Sequence, residues 1–324
     1  MDRPTASDAP PDLSIILVNY NTAHLLDRLF AALAAGQGAL TLQIIVVDNA
    51  SRDGSAELIR THYPAAELIA NKVNVGFGRA NNQAVPRVRG RYVLLLNTDA
   101  FVSPDTLPKT VAFMDAHPRC GVLGVKLVGS DRRLQPSCRY FPTPMNLFLN
   151  ASGLARVFPA VRLVDDMQWD HASERDCDWV PGCFYLMRRD VVDDVGLFDP
   201  RYFMYYEEID HCRAVRAAGW TVVYYPHSEV VHIGGESAAS DGAVTRAGRQ
   251  ISALQIESEL LYFRKHGGLF GLFADIVLAL AADAINAVKG AARFDRARIA
   301  TAGGHARTLL KLLGKTAFGS HPTR

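Results

Sequence analysis

Short buried runs that end in polar tips set the pattern of the first hundred residues. Ser14 to Val18 is one such run, and it leads into Asn19-Tyr20-Asn21-Thr22. Leu25, Leu26, Leu29, Phe30 and Leu33 then recur at helical spacing and stop at Gly36. Ile44 to Val47 is a second run, closed by Asp48-Asn49, and a polar turn leads to a helix from about Ser55. The third, Tyr92 to Leu96, ends in Asn97-Thr98-Asp99. Its helix is read with Ser103 as cap, Pro104 at the first position and Asp105 in the first turn. Buried strands alternating with helices predict an α/β fold, a mostly parallel sheet covered on both faces. Ligands of such sheets bind beyond the carboxyl ends of the strands. A single polar tip could be a helix cap, but three at one edge point to a site.

The second half changes character. Residues 130 to 180 are irregular and aromatic-rich, as suits a substrate-facing segment. A strand (Phe184 to Met187) and "GLFDPRYFMYYEEIDHCRAVRAAGW" follow, then a strand pair through Val222–Tyr225 and Val230–His232. Past Glu236 the pattern is loop, a helix over Ile251–His266, and a last helical region over 269–318.

A length of 324 residues allows a large core with an appendage, or two domains. Net charge is +2, which names no nucleic-acid partner, but its distribution is uneven. Residues 289–324 carry +7 and the rest −5. A basic tail on a mildly acidic body suggests an anionic surface as partner. Five cysteines without a CxxC fit a reducing, cytoplasmic setting. Residues 1–12 read as a disordered leader without an apolar signal segment. No run of eighteen apolar residues occurs, so no membrane span is predicted.

Several stretches could carry chemistry. Asp99 is either a capping acid or a carboxylate holding Mg²⁺ or Mn²⁺ against a diphosphate, because hard cations share oxygen ligands with phosphates. Asn97 stands where a second acid would be usual. Glu207, Glu208 and Asp210 open a helix that ends near Gly219, a pattern that dipole complementation alone would favour. Three acids within four residues beside aromatic rings also raise one another's pKa, which suits a general base. His232 is either a structural histidine after a strand or a metal ligand beside Asp99. "VDNASRDGS" resembles a calcium loop until its twelfth position, which is Arg60. "GFGRAN" lacks the third glycine of a dinucleotide fingerprint and does not follow the first strand.

Six stretches in order, "SIILVNYNT", "IIVVDNASRDGS", "NVGFGRANNQA", "YVLLLNTDAFVSPD", "GLFDPRYFMYYEEIDHC" and "VVYYPHSEVVHIGGES", resemble glycosyltransferase family two, in its rhamnosyltransferase-like branch. The likeness covers about residues 13–236. It implies a GT-A type, Rossmann-like fold. The nucleotide-binding half would span about 13–105 and the acceptor half about 106–236, with a helical region over 237–324 as a candidate membrane-associating element. It further implies that Val18 and Tyr20 contact the nucleobase and Asp48 the base or ribose. Asn74, Gly76, Arg79 and Asn82 would line the nucleotide. Asp99 matches the last acid of a DxD motif, with Asn97 in place of the first, and His232 matches a histidine completing the metal shell. Glu208 matches the base position, where Asp is usual, so Glu207 and Asp210 remain alternatives.

The implied activity is inverting transfer of a sugar, rhamnose first, from a dTDP- or UDP-sugar to a glycan or polyprenyl-diphosphate-linked acceptor in cell-surface polysaccharide synthesis. Two rivals stand beside it. A sugar-phosphate nucleotidyltransferase would carry a glycine- and lysine-bearing loop after the first strand, where this chain has "VNYNTAH". A non-catalytic binding protein would keep the fold and lose the base. On the last helices Leu269, Leu272, Phe273, Ile276, Leu280 and Val288 favour one face, followed by the basic stretch. That pattern predicts either packing on the body or peripheral association with the inner, anionic face of a membrane.

Overall fold

A computed structural model describes residues 9–234 and 244–324. Most of the leader, Glu236 and the 236/237 boundary therefore lie outside the described residues. Along the chain the elements are β1 (Leu13–Asn19), α1 (Ala23–Gly36), β2 (Leu42–Asp48), α2 (Ser55–His62), β3 (Glu67–Ala70), α3 (Phe77–Ala84), β4 (Tyr92–Asn97) and β5 (Ala100–Val102). Next come α4 (Thr106–Ala116), β6 (Cys120–Val128), β7 (Leu134–Gln135), α5 (Pro144–Ser152), β8 (Arg175–Asp176), β9 (Phe184–Arg188) and α6 (Arg189–Val195). The last are α7 (Glu207–Ala217), β10 (Thr221–His232), α8 (Val244–Ala292) and α9 (Arg296–Lys315).

One sheet, ordered β3-β2-β1-β4-β9-β6-β10-β5, runs through both halves, with β7 added to β6 and β8 to β10. Strands β1, β2, β3 and β4 are parallel, and their registers align Asn19 with Asp48 and Val18 with Asn97. The polar tips therefore do meet along one edge. The apolar runs are continuous because these strands are covered on both faces: Ile15, Leu17, Val46 and Leu94 join a core with α1 and α4, while Ile16, Ile45, Val47 and Leu95 join another with α3 and α7.

Four local expectations change. The helix after β4 begins at Thr106 with Asp105 as N-cap, not at Ser103. Ala100 to Val102 are first used as a strand antiparallel to β10, with Ala100 opposite His232. β9 runs antiparallel between β4 and β6 and makes the sheet mixed. The supposed strand pair of the second half is a single strand, β10, with an irregularity between Tyr225 and Glu229 that accommodates Pro226.

The C-terminal helices pack on this body. α8 is broken at Gly268, whose φ of 61° departs from the helix, and its second part pairs with α9 through Leu272, Ile276, Leu309 and Leu312. Ala253–Ala292 is long and apolar enough to cross a membrane by length and composition, its most apolar window having mean hydropathy 2.0 and being 22% buried. Counting uninterrupted apolar residues misses this because Asp275 and Asp283 break the run. Both turn toward protein: Asp275 is buried, and Asp283 accepts a hydrogen bond from His305 of α9 at 2.7 Å.

Candidate active site

Two polar groups lie within electrostatic reach of Cys183, beside the end of β4. The first is built by β4, β5 and β10. β5 brings Asp99 beside the end of β10, where Asp99 Oδ1 lies 3.5 Å from His232 Nε2. Backbone N–H groups fix the acid, Ile233 donating to its carbonyl and Gly234 to its Oδ2 at 3.1 Å. Gln135 fixes the imidazole: its amide nitrogen donates to the His232 carbonyl, so its Oε1 faces Nδ1 at 2.9 Å. Nδ1 must therefore carry the proton, which leaves the Nε2 lone pair directed to Asp99. Burial holds His232 below its ordinary pKa against the pull of Asp99, so the contact joins a neutral imidazole to a carboxylate.

This oxygen–nitrogen pair is a donor set that suits a divalent cation such as Mn²⁺ or Mg²⁺. Among the described residues no group of three or more His, Cys, Asp or Glu is placed to enclose a metal. An ion here would keep most of its coordination sphere for a ligand. Asn97 donates its backbone N–H to Cys183 and so ties β4 to the loop over 179–183.

The second group is the start of α7. Glu207 is 3% exposed and Glu208 half-buried, and one carboxylate oxygen of each, Oε2, is buried without a hydrogen-bond partner. Burial pushes Glu207 well above the ordinary glutamate value, and the charge of Glu208 adds to it. Burial raises Glu208 too, with Arg139 opposing. Arg139 is held by Asp165 at 2.6 Å and stacks 4.3 Å over Trp179. Cys183 lies within reach of both groups: burial raises its thiol pKa, and the charges of Asp99 and Glu208 both raise it further. Both carboxylates thus act on one buried point.

Asp210 is placed differently from the expectation of a base. It accepts from Lys265 at 2.7 Å and from His266 at 2.6 Å. Burial would raise it, but those two partners hold it below the usual carboxylate range. A carboxylate so paired is a poor proton acceptor.

The nucleotide positions divide. Val18 and Tyr20 are half-buried at the end of β1. Asp48 is 2% exposed and spends its oxygens on Asn19 at 2.8 Å and the Ser51 N–H at 3.1 Å, bracing two strand tips. Asn74 accepts from Asn49 and from the Gly76 N–H. Gly76, at φ 89°, has no room for a Cβ, which would sit 2.4 Å from the Phe203 carbonyl. Arg79 and Asn82 depart from their expected place. Arg79 donates to the carbonyls of Pro200 and Arg324, and Asn82 bonds the Phe198 backbone through both amide atoms. These bonds join α3 to the segment before α7 and, through Arg79, to the C-terminal residue.

Gln135 and Arg139 were not singled out in the sequence. Gln135 sits on a two-residue strand and reaches His232 across the sheet, so no local pattern marks it.

A sheet end that gathers a carboxylate–imidazole pair, with buried acids that each keep one carboxylate oxygen bare, suits a group-transfer enzyme. Residues 14–160 match the family model described as Glycosyl transferase family 2. The chain is thus a rhamnosyltransferase-like glycosyltransferase with a GT-A fold that carries a family-two domain over those residues. It is 28% identical over 244 residues to the N-acetylglucosaminyl-diphospho-decaprenol L-rhamnosyltransferase of Mycobacterium tuberculosis, covering 71% of this chain and 79% of the relative. It is 27% identical over 228 residues to Rhamnosyltransferase WbbL of Escherichia coli K12, covering 67% and 82%. In fold it is similar to a mannosyltransferase, PcManGT from Pyrobaculum calidifontis, solved with GDP-Man and Mn²⁺. The TM-score is 0.56, the identity 16%, and the coverage 96% of this chain and 88% of that one.

Proposed function

We propose that this enzyme moves a sugar, with inversion, from a nucleoside-diphosphate donor to a saccharide or polyprenyl-diphosphate-linked acceptor in cell-surface polysaccharide synthesis. Rhamnose is the first candidate sugar, in keeping with the two rhamnosyltransferase relatives, and dTDP is the first candidate nucleotide. The observation that supports the reading is that Asp99, paired with His232, and Glu208, with one carboxylate oxygen bare, both act on the buried Cys183.

In this reading the acceptor hydroxyl oxygen bonds to the anomeric carbon as the bond to the diphosphate breaks, the electron pair leaving on the diphosphate. Glu208 takes the hydroxyl proton, since it is the most exposed of the three acids and lacks a cationic hydrogen-bond partner. Glu207 stays protonated beside it, because two adjacent buried carboxyls do not both ionise. Asp99 and His232 would hold a Mg²⁺ or Mn²⁺ ion, with donor oxygens completing the shell. The chemistry supplied there is neutralisation of the charge that develops on the leaving diphosphate. Trp179 to Cys183 would orient the acceptor beside β4.

The C-terminal helices support a location on the inner, anionic membrane face as part of this proposal. Phe270 is 87% exposed, and Phe273, Val277 and Val288 fall on the same helical side. Arg307, Lys311 and Lys315, spaced by four on α9, are exposed as a basic row. An apolar face beside a basic row matches an anionic lipid surface, with the helices lying in its plane.

The test is a transfer assay with purified full-length chain, a panel of nucleotide sugars and a polyprenyl-diphosphate acceptor in vesicles, with and without Mn²⁺. The expected result is transfer from one donor with an inverted anomeric centre. Absence of transfer with every donor, or release of pyrophosphate from a nucleoside triphosphate instead, contradicts the reading.

A further inference from the structure

The turn that presents Glu207 and Glu208 is strained. Tyr205 and Tyr206, immediately before α7, have φ of 71° and 70°, the left-handed region that non-glycine residues rarely adopt. Two such residues in succession keep that shape only where their surroundings dictate it. In front, the donor-side loop does so: Phe77 donates its N–H to the Phe203 carbonyl at 2.9 Å, and Gly76 lets the two backbones touch. Behind, α8 does so with two consecutive residues. Ser258 Oγ donates to the Met204 carbonyl at 2.9 Å, and Tyr206 Oη donates to Glu259 Oε2 at 2.7 Å.

We propose that Ser258 and Glu259 are positioning residues of the active site, acting through Met204 and Tyr206 to hold the turn that aims Glu208 at the acceptor. The C-terminal helical region is then part of the catalytic apparatus as well as a candidate membrane contact. The proposal rests on Glu208 being the base. Further along, Arg213 donates to Tyr262 Oη at 2.6 Å and Lys265 pairs with Asp210, so α7 is seated on α8 over three turns. Burial raises Glu259 while the Tyr206 hydroxyl lowers it. A neutral amide in its place keeps the oxygen that accepts from Tyr206.

The experiment compares Glu259→Ala, Glu259→Gln, Tyr206→Phe and Glu208→Gln in the full-length enzyme, reading kcat, donor KM and thermal midpoint. A base displaced by about 1 Å loses roughly 100-fold in rate. Glu259→Ala and Tyr206→Phe should therefore each lower kcat by about 10- to 100-fold with donor KM little changed. Glu259→Gln should recover most of the loss, and the Ala/Phe double variant should be no worse than the poorer single one. Should Glu259→Ala fail to fold, Tyr206→Phe, which removes one hydroxyl, carries the same test. Retained kcat in Glu259→Ala and Tyr206→Phe, while Glu208→Gln is inactive, overturns the positioning role alone. Equal losses in the Ala and Gln variants, tracking a lowered thermal midpoint, overturn it as well. Turnover retained by Glu208→Gln overturns the base assignment and takes this proposal with it.

Discussion

His232 Nε2 approaches Asp99 Oδ1 to 3.5 Å because β5 pairs with β10 and Gln135 clamps the imidazole from the other side. The clamp matters as much as the pair. Without Gln135 the ring is free to rotate or change tautomer. Gln135→Leu should weaken Mn²⁺ binding by about 10- to 100-fold, the usual cost of losing a group that orients a metal ligand, and Asp99→Asn should abolish it. Isothermal titration of the chain with Mn²⁺ checks both. Unchanged affinity in Gln135→Leu removes the orienting role.

The raised pKa of Glu208 gives activity and stability opposite dependences on pH. A base must be ionised, so turnover falls as pH drops through a value above the ordinary 4.5 for glutamate. The folded state, however, binds that proton more tightly than the unfolded chain does. Stability from this group is therefore complete below 4.5 and is lost as pH rises through the raised value. A kcat–pH profile with its acid limb at or below 4.5 contradicts the assignment.

Asp275 shows the same sign more strongly. Burial, with Glu259 nearby, pushes it up to about 9, and its Oδ2 has no hydrogen-bond partner. Its contribution is complete below 3.8 and declines as pH rises through about 9. Asp275→Asn should raise the thermal midpoint by an amount that grows between neutral pH and pH 9. A lower midpoint than wild type at the alkaline end contradicts this.

Membrane association should depend on charge and apolar contact together. Replacing Lys311 and Lys315 by Gln removes about 1 kcal/mol per charge from binding to an anionic leaflet, or roughly 30-fold in all. Phe270→Glu should weaken binding to neutral and anionic vesicles alike. Vesicle sedimentation reads both. A double Gln variant that binds anionic vesicles as tightly as wild type contradicts the surface assignment.

Much of the sheet edge was legible in the sequence, for a physical reason. Strands β1, β2 and β4 are buried on both faces, so they read as unbroken apolar runs whose polar ends stand out. α1 declares itself by its spacing, and α7 by its acids and by Gly219, which takes a φ of 90°. What could not be read is pairing between distant residues. Nothing near Phe184 says that β9 inserts antiparallel between β4 and β6. Nothing near Asp210 says that Lys265 and His266 will neutralise it. Arg79 and Asn82 have the right chemistry for a nucleotide, and only the fold shows that backbone carbonyls claim them.

Glu208→Gln tests the central claim most directly, because it removes the proton acceptor and leaves shape and donor contacts in place. With donor, acceptor and Mn²⁺ saturating, turnover should fall by about 10²- to 10⁴-fold while the donor dissociation constant stays as in wild type. Turnover equal to wild type would contradict the account.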